Sequence, residues 1–177
     1  MRWRAFPLHP ETPEEGQSLE ELFRAAPEKV AGMIAHLKAT ADELGLPFGP
    51  RTKTYNSRLA QELGMWAMAS GKGDEFHLAA FKAYFADGVN LAKIPVLLEI
   101  TRNLGLPKKE AAQVLADRLY KDAVDRDWHE AQFKGITAVP TFIMGRHKLV
   151  GAQNYQALEQ LVRLYGAVKR EQAGQPN

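Results

Sequence analysis

The spacing of apolar residues changes period three times along the chain. Over residues 1–8, Trp3 and Ala5 alternate with Arg2, Arg4 and Phe6, a strand pattern stopped by Pro7 and Pro10. A polar, proline-rich loop follows over 10–17. Ser18 then stands three residues before Glu21, the spacing of a capping box, and predicts a short helix over "SLEELF". From Pro27 the period becomes helical. Val30, Ile34, Leu37, Ala41 and Leu44 fall on one face of a helix that Gly45 ends.

Further helices follow the same logic. Residues 46–53 read as a loop, after which Asn56 or Ser57 caps a helix carrying Leu59, Leu63, Trp66 and Ala67. The next runs from about Asp74 to Asp87, and another occupies "IPVLLEITRNLG". Pro107 opens one carrying Ala111, Val114, Leu115, Arg118 and Leu119, and residues 123–134 hold Val124, Trp128, Ala131 and Phe133. The period then drops back to two. "TFIMG" and "KLVGA" are short strands joined by a turn at Gly145–His147. Gln153 or Asn154 starts a last helix with Leu158, Leu161, Val162 and Tyr165 on one face. The order strand, helices, hairpin, helix predicts that the first strand and the hairpin share a small sheet, with a helical insertion between them.

Composition narrows the chemistry more than the fold. At 177 residues the chain suits one domain with an embedded subdomain, and a net charge of +2 gives no case for nucleic acid. No apolar run is long enough to span a bilayer, and "MRWRAFPLHP" lacks the features of a signal peptide, so a cytoplasmic protein is expected. Cysteine is absent, which removes disulfides, thiolate metal sites and a cysteine nucleophile from these residues. The five histidines lack zinc-helix spacing, no metal is expected, and no Gly-x-Ser-x-Gly elbow occurs. The aromatic set Trp66, Phe76, Phe81, Tyr84, Phe85 and Trp128 is spaced for helix burial.

One stretch carries more than local structure. "GITAVPTFIMGRHKLVGAQ", residues 135–153, places a Val-Pro step at the mouth of a strand, followed by a hairpin and a helix start. With "WRAFPLHPETPEEG", "TYNSRLAQELGMWA" and "FHLAAFKAYFADGVNLAK" upstream, the chain resembles the DsbA-like thioredoxin-fold family, in its FrnE-like branch. That family is related to the 2-hydroxychromene-2-carboxylate isomerases and kappa-class glutathione transferases. The resemblance implies an α/β, DsbA-like thioredoxin fold with an all-helical insertion. It groups residues 1–17 with 135–168 as the sheet and C-terminal helix, 18–134 as the insertion, and 169–177 as a flexible tail.

By the same resemblance the Val139–Pro140 bond is cis. Val139, Pro140 and Thr141 then become the expected binding position for a disulfide or thiol peptide, or for glutathione as a small-molecule ligand. Asn56 and Arg58 match a segment facing the family's cleft, and His9 follows the first strand closely enough to line it. The family's active-site Cys-x-x-Cys, on a first strand and helix, has no counterpart here, so the sheet is expected to be truncated at its N-terminal side. Three expectations answer that gap: a fragment of a longer protein, a homodimer formed through exposed sheet edges, or strands re-paired into a smaller sheet. The implied function is that of a thiol–disulfide oxidoreductase-type protein, redox-inactive as given. The alternatives are a glutathione-dependent isomerase or transferase, and a non-catalytic peptide-binding or assembly protein.

Overall fold

A computed structural model describes residues 2–168, so the expected tail over 169–177 lies outside the described residues. The elements are β1 (Gln17–Ser18), α1 (Leu19–Phe23), α2 (Pro27–Glu43), β2 (Lys53–Thr54), α3 (Arg58–Ala69), α4 (Gly73–Phe85), α5 (Ile94–Asn103), α6 (Lys108–Ala116), α7 (Lys121–Phe133), β3 (Thr141–Met144), β4 (His147–Val150) and α8 (Tyr155–Arg163). Every helix expected from periodicity is present. The capping box forms: Glu21 N–H donates to Ser18 Oγ, and Ser18 N–H donates to the Glu21 carboxylate, each at 3.1 Å. Asn154 is the N-cap of α8, its Oδ1 accepting from Ala157 N–H at 2.9 Å.

The chain divides into two compact units, Met1–His129 and Glu130 onward. In the first unit α3, α4, α5 and α6 enclose the core. Leu63 and Ala67 of α3, Phe76 of α4, Leu97 of α5 and Ala111 of α6 are all buried there. Such side chains contribute about 1.5–3 kcal/mol each when fully withdrawn from water, and this supplies the reason for the helical order. Beside this core, β1 and β2 pair antiparallel, Gln17 with Thr54 and Ser18 with Lys53. Gln17 and Lys53 close segments expected to be loops, and strands of two residues are too short to show any alternation.

The first segment departs from expectation. Residues 2–8 form no strand, and the sheets are two separate two-stranded ribbons, β1–β2 and β3–β4. Side chains from helices take the place of a ladder. Buried Asp127 accepts from Ala5 N–H at 2.9 Å and from the Arg4 guanidinium at 2.6 Å. The Phe6 carbonyl accepts from Gln61 Nε2 at 3.1 Å, and Trp3 Nε1 donates to Asp74 at 2.7 Å. The alternating pattern reports an extended backbone, and side chains rather than strand partners hold it at Ala5 and Phe6.

Two other corrections concern helix faces. α6 ends at Ala116 instead of carrying Arg118 and Leu119, because Arg118 turns left-handed at φ 53°. In α2 only Val30 and Ala41 of the expected core stripe are buried, while Leu37 and Leu44 stay exposed. Similarly, Phe81 and Phe85 of α4 are exposed although the aromatic spacing predicted burial.

The second unit holds the end of α7, the β3–β4 hairpin and α8. The register is Thr141 with Val150, Phe142 with Leu149, Ile143 with Lys148 and Met144 with His147, so the turn is Gly145–Arg146. Gly145 adopts φ 54°, and a Cβ there would run into the Tyr165 ring and hydroxyl. That hydroxyl accepts from Arg146 N–H at 3.0 Å and lies 2.8 Å from His147 Nδ1, which ties the hairpin turn to the chain just after α8.

Candidate functional site

The residues expected to bind a ligand fall in two regions, one in each compact unit. In the second unit the Val139–Pro140 bond is cis, as expected. Gly151 N–H donates to the Pro140 carbonyl at 2.8 Å, so Pro140 and Gly151 face each other as a hydrogen-bonded position of the ribbon. Antiparallel pairs alternate, which makes Thr141–Val150 and Ile143–Lys148 the non-bonded positions. The backbone N–H and C=O groups of Thr141 and Ile143 therefore point away from β4. Among the described residues no strand occupies that side of β3. Thr141 Oγ1 donates to the Ala138 carbonyl at 2.6 Å, and the Val139 side chain is 44 % exposed. The edge thus offers a short row of free backbone groups beginning at the Val-Pro step.

The first unit brings His9, Asn56 and Arg58 together. They line a shallow groove with Pro7, Leu8, Pro10, Ser57, Gln61 and Trp128. Its enclosed space is about 10 Å³, room for about one water molecule and not for a substrate. Asn56 donates from Nδ2 to the Pro10 and Thr12 carbonyls at 3.2 and 2.8 Å, and its Oδ1 accepts from Arg58 N–H at 2.9 Å. It fastens the loop after the N-terminal segment to the start of α3. Burial, with the Arg51 charge adding to it, lowers the His9 pKa from its ordinary value.

Arg58 belongs to an ion cluster that the sequence reading missed. Its guanidinium bonds Glu62 at 2.5 Å, Asp125 at 2.7 Å and the Lys121 carbonyl at 2.8 Å, and packs 4.7 Å from the Trp128 ring centre. Glu62 is fully buried and also accepts two bonds from Arg118, at 2.7 and 2.6 Å. Burial alone would raise the Glu62 pKa, but the hydrogen bonds and charges of Arg118 and Arg58 outweigh it, and the net shift is downward. Asp125 is held down at about 2, chiefly by its hydrogen bonds to Lys121 and Arg58. A carboxylate so stabilised in its charged form, with both oxygens engaged, is a poor proton acceptor. The cluster instead locks α3 to the turn between α6 and α7 and to the start of α7.

Only part of this was visible beforehand. Arg58 and Glu62 stand at i and i+4 on one helix, a spacing legible in sequence. Arg118 lies 56 residues away from Glu62, and nothing local marks its left-handed turn. Trp128 Nε1 donates to Gln61 at 2.7 Å across a similar distance in sequence. No group of three or more histidine or acidic side chains is placed to hold a metal ion among the described residues.

The model of the DSBA-like thioredoxin domain matches residues 1–163. The chain belongs to that family. Its fold is DsbA-like thioredoxin, mostly helical with small sheets. A curated relative of this DSBA-like domain is the uncharacterized protein YwbO of Bacillus subtilis, 26% identical over 168 residues, covering 92% of this chain and 80% of that one. Among solved structures, a probable DsbA oxidoreductase from Streptomyces coelicolor superposes with a TM-score of 0.84 at 24% identity, over 96% of this chain and 76% of that chain. A 2-hydroxychromene-2-carboxylate isomerase superposes at 0.65 with 20% identity, over 78% and 66%. At these identities the structural likeness speaks for the fold alone. None of the 177 residues is a cysteine.

Proposed function

We propose that this chain is the ligand-binding part of a FrnE-like thiol–disulfide protein, holding an extended thiol peptide or glutathione along β3 and performing no thiol exchange with its own residues. The observation that supports the reading is the open edge of β3, where the backbone groups of Thr141 and Ile143 face away from β4. An extended ligand satisfies such groups by adding a strand, and main-chain hydrogen bonds then supply the affinity. The other half of the reading rests on the absence of cysteine from these residues. Any attacking thiolate has to come from elsewhere.

Titration of the ¹⁵N-labelled protein with reduced glutathione, and separately with an extended cysteine-containing peptide, tests this. The Thr141 and Ile143 amide signals are expected to shift with one of the two ligands. Ile143→Pro removes one outward donor while leaving the β3–β4 bonds in place. Loss of one net hydrogen bond of about 1 kcal/mol corresponds to roughly fivefold weaker binding. Unmoved edge amides at millimolar concentrations of both ligands would sink the proposal.

A further inference from the structure

We propose that α2 is the contact face of a symmetric dimer, with two copies of this chain pairing through antiparallel α2 helices. This rests on α2 alone and is independent of the ligand edge on β3. The helix has 17 residues, yet only Val30 and Ala41 are buried. Met33, Leu37 and Leu44 remain 38%, 45% and 67% exposed. At about 100° per residue these three lie within roughly 40° of one another, forming a stripe beside the buried face. Leu46, just past the helix end, is exposed as well. Together the four leave a few hundred Å² open, about the size of the largest apolar patch on an ordinary monomer, a patch that is often functional.

The charges beside this stripe select a second copy as the occupant. Lys29 and Glu43 lie on the same flank at opposite ends of α2, about 21 Å apart along the axis. Neither makes an ion pair among the described residues. An antiparallel crossing centred on His36 and Leu37 sets Lys29 of one copy opposite Glu43 of the other, and the two-fold axis repeats the pair. A parallel crossing keeps Lys29 and Glu43 at levels about 21 Å apart and gives neither an opposite charge. The same axis brings Leu37 of both copies to the centre, where apolar burial contributes most. Because a standard interface buries about 800 Å² per partner, this smaller face gives a weak dimer that dissociates on dilution.

Sedimentation of the full chain from about 10 µM to about 1 mM covers the range expected for such a contact. A concentration-dependent dimer is expected. Leu37→Glu, an exposed change checked for folding by circular dichroism, should raise the dissociation constant at least tenfold. Lys29→Glu should weaken the dimer about fivefold, and adding Glu43→Lys should restore it. Since the chain has no cysteine, Leu37→Cys introduces a single thiol, and mild oxidation should yield a disulfide-linked dimer. A monomer throughout the range overturns the proposal. So does a dimer that withstands Leu37→Glu but is lost in Ile143→Pro, which would move the contact to the β3 edge.

Discussion

Replacing Glu62 by glutamine keeps the shape of the side chain and removes one charge from a fully buried position. In the native protein that charge is shared by two guanidiniums, through one bond from Arg58 and two from Arg118. Removing one partner of a buried ionic cluster costs about 3–5 kcal/mol, because the remaining charges stay out of water. Arg118 is 42% exposed and recovers part of its hydration, so the lower end, about 3 kcal/mol, applies. For a chain of this size each kcal/mol moves the melting midpoint by about 2–4 °C, giving a drop of roughly 6–12 °C. Thermal denaturation at neutral pH, followed by circular dichroism, measures it. Arg102→Ala, which breaks the exposed pair with Glu99, is the control and should move the midpoint little. The pH dependence adds a second reading. The folded Glu62 pKa lies below its ordinary value of 4.5, so its stabilisation is complete above that value. It is lost as pH falls through the folded value. The gap between wild type and Glu62→Gln should therefore close in acid. A midpoint within about 2 °C of wild type at neutral pH would refute the claim that this cluster locks α3 in place.

Three further outcomes follow from the same structure. Asp127→Ala should release the N-terminal segment, so that hydrogen exchange at the Ala5 amide accelerates while the α3–α6 core keeps its protection. Gly145→Ala should loosen the hairpin turn, because its φ of 54° and the Tyr165 ring both oppose a Cβ; the Arg146 amide signal should lose its protected character. His77 has its Nε2 buried without a partner, and burial lowers its pKa below 6.5 even though Asp74 pulls the other way. Stability should therefore decline as pH drops from about 6.5 toward the folded value, where the unfolded state takes up the proton first. Imidazole titration by NMR should place the His77 midpoint below that of free histidine, and His77→Phe should flatten the decline.

What the residues determined alone is whatever depends on near neighbours. Apolar spacing, the Ser18–Glu21 box, Pro27 and Asn154 set the helices and their starts, and Gly145 set the hairpin turn. Each signal acts within a few residues, so it can be read directly. The Val139–Pro140–Thr141 position was expected from the family resemblance, since a proline step before a strand does not by itself mark a binding edge. Tertiary structure decided where long-range partners were needed. The alternation of Trp3, Ala5 and Phe6 specified an extended backbone, but Asp127, Gln61 and Asp74 determined that it is held by side chains and not by a sheet. Arg58 and Glu62 stand at i and i+4 in the sequence, but only the fold brings Arg118, from the turn after α6, onto Glu62 and buries it. The apolar face of α2 was readable as a face, yet only the packed chain shows that Leu37 and Leu44 on it stay exposed while Val30 and Ala41 are buried. Periodicity fixes which side of a helix is apolar; the number of surfaces available to cover that side is a property of the assembled fold.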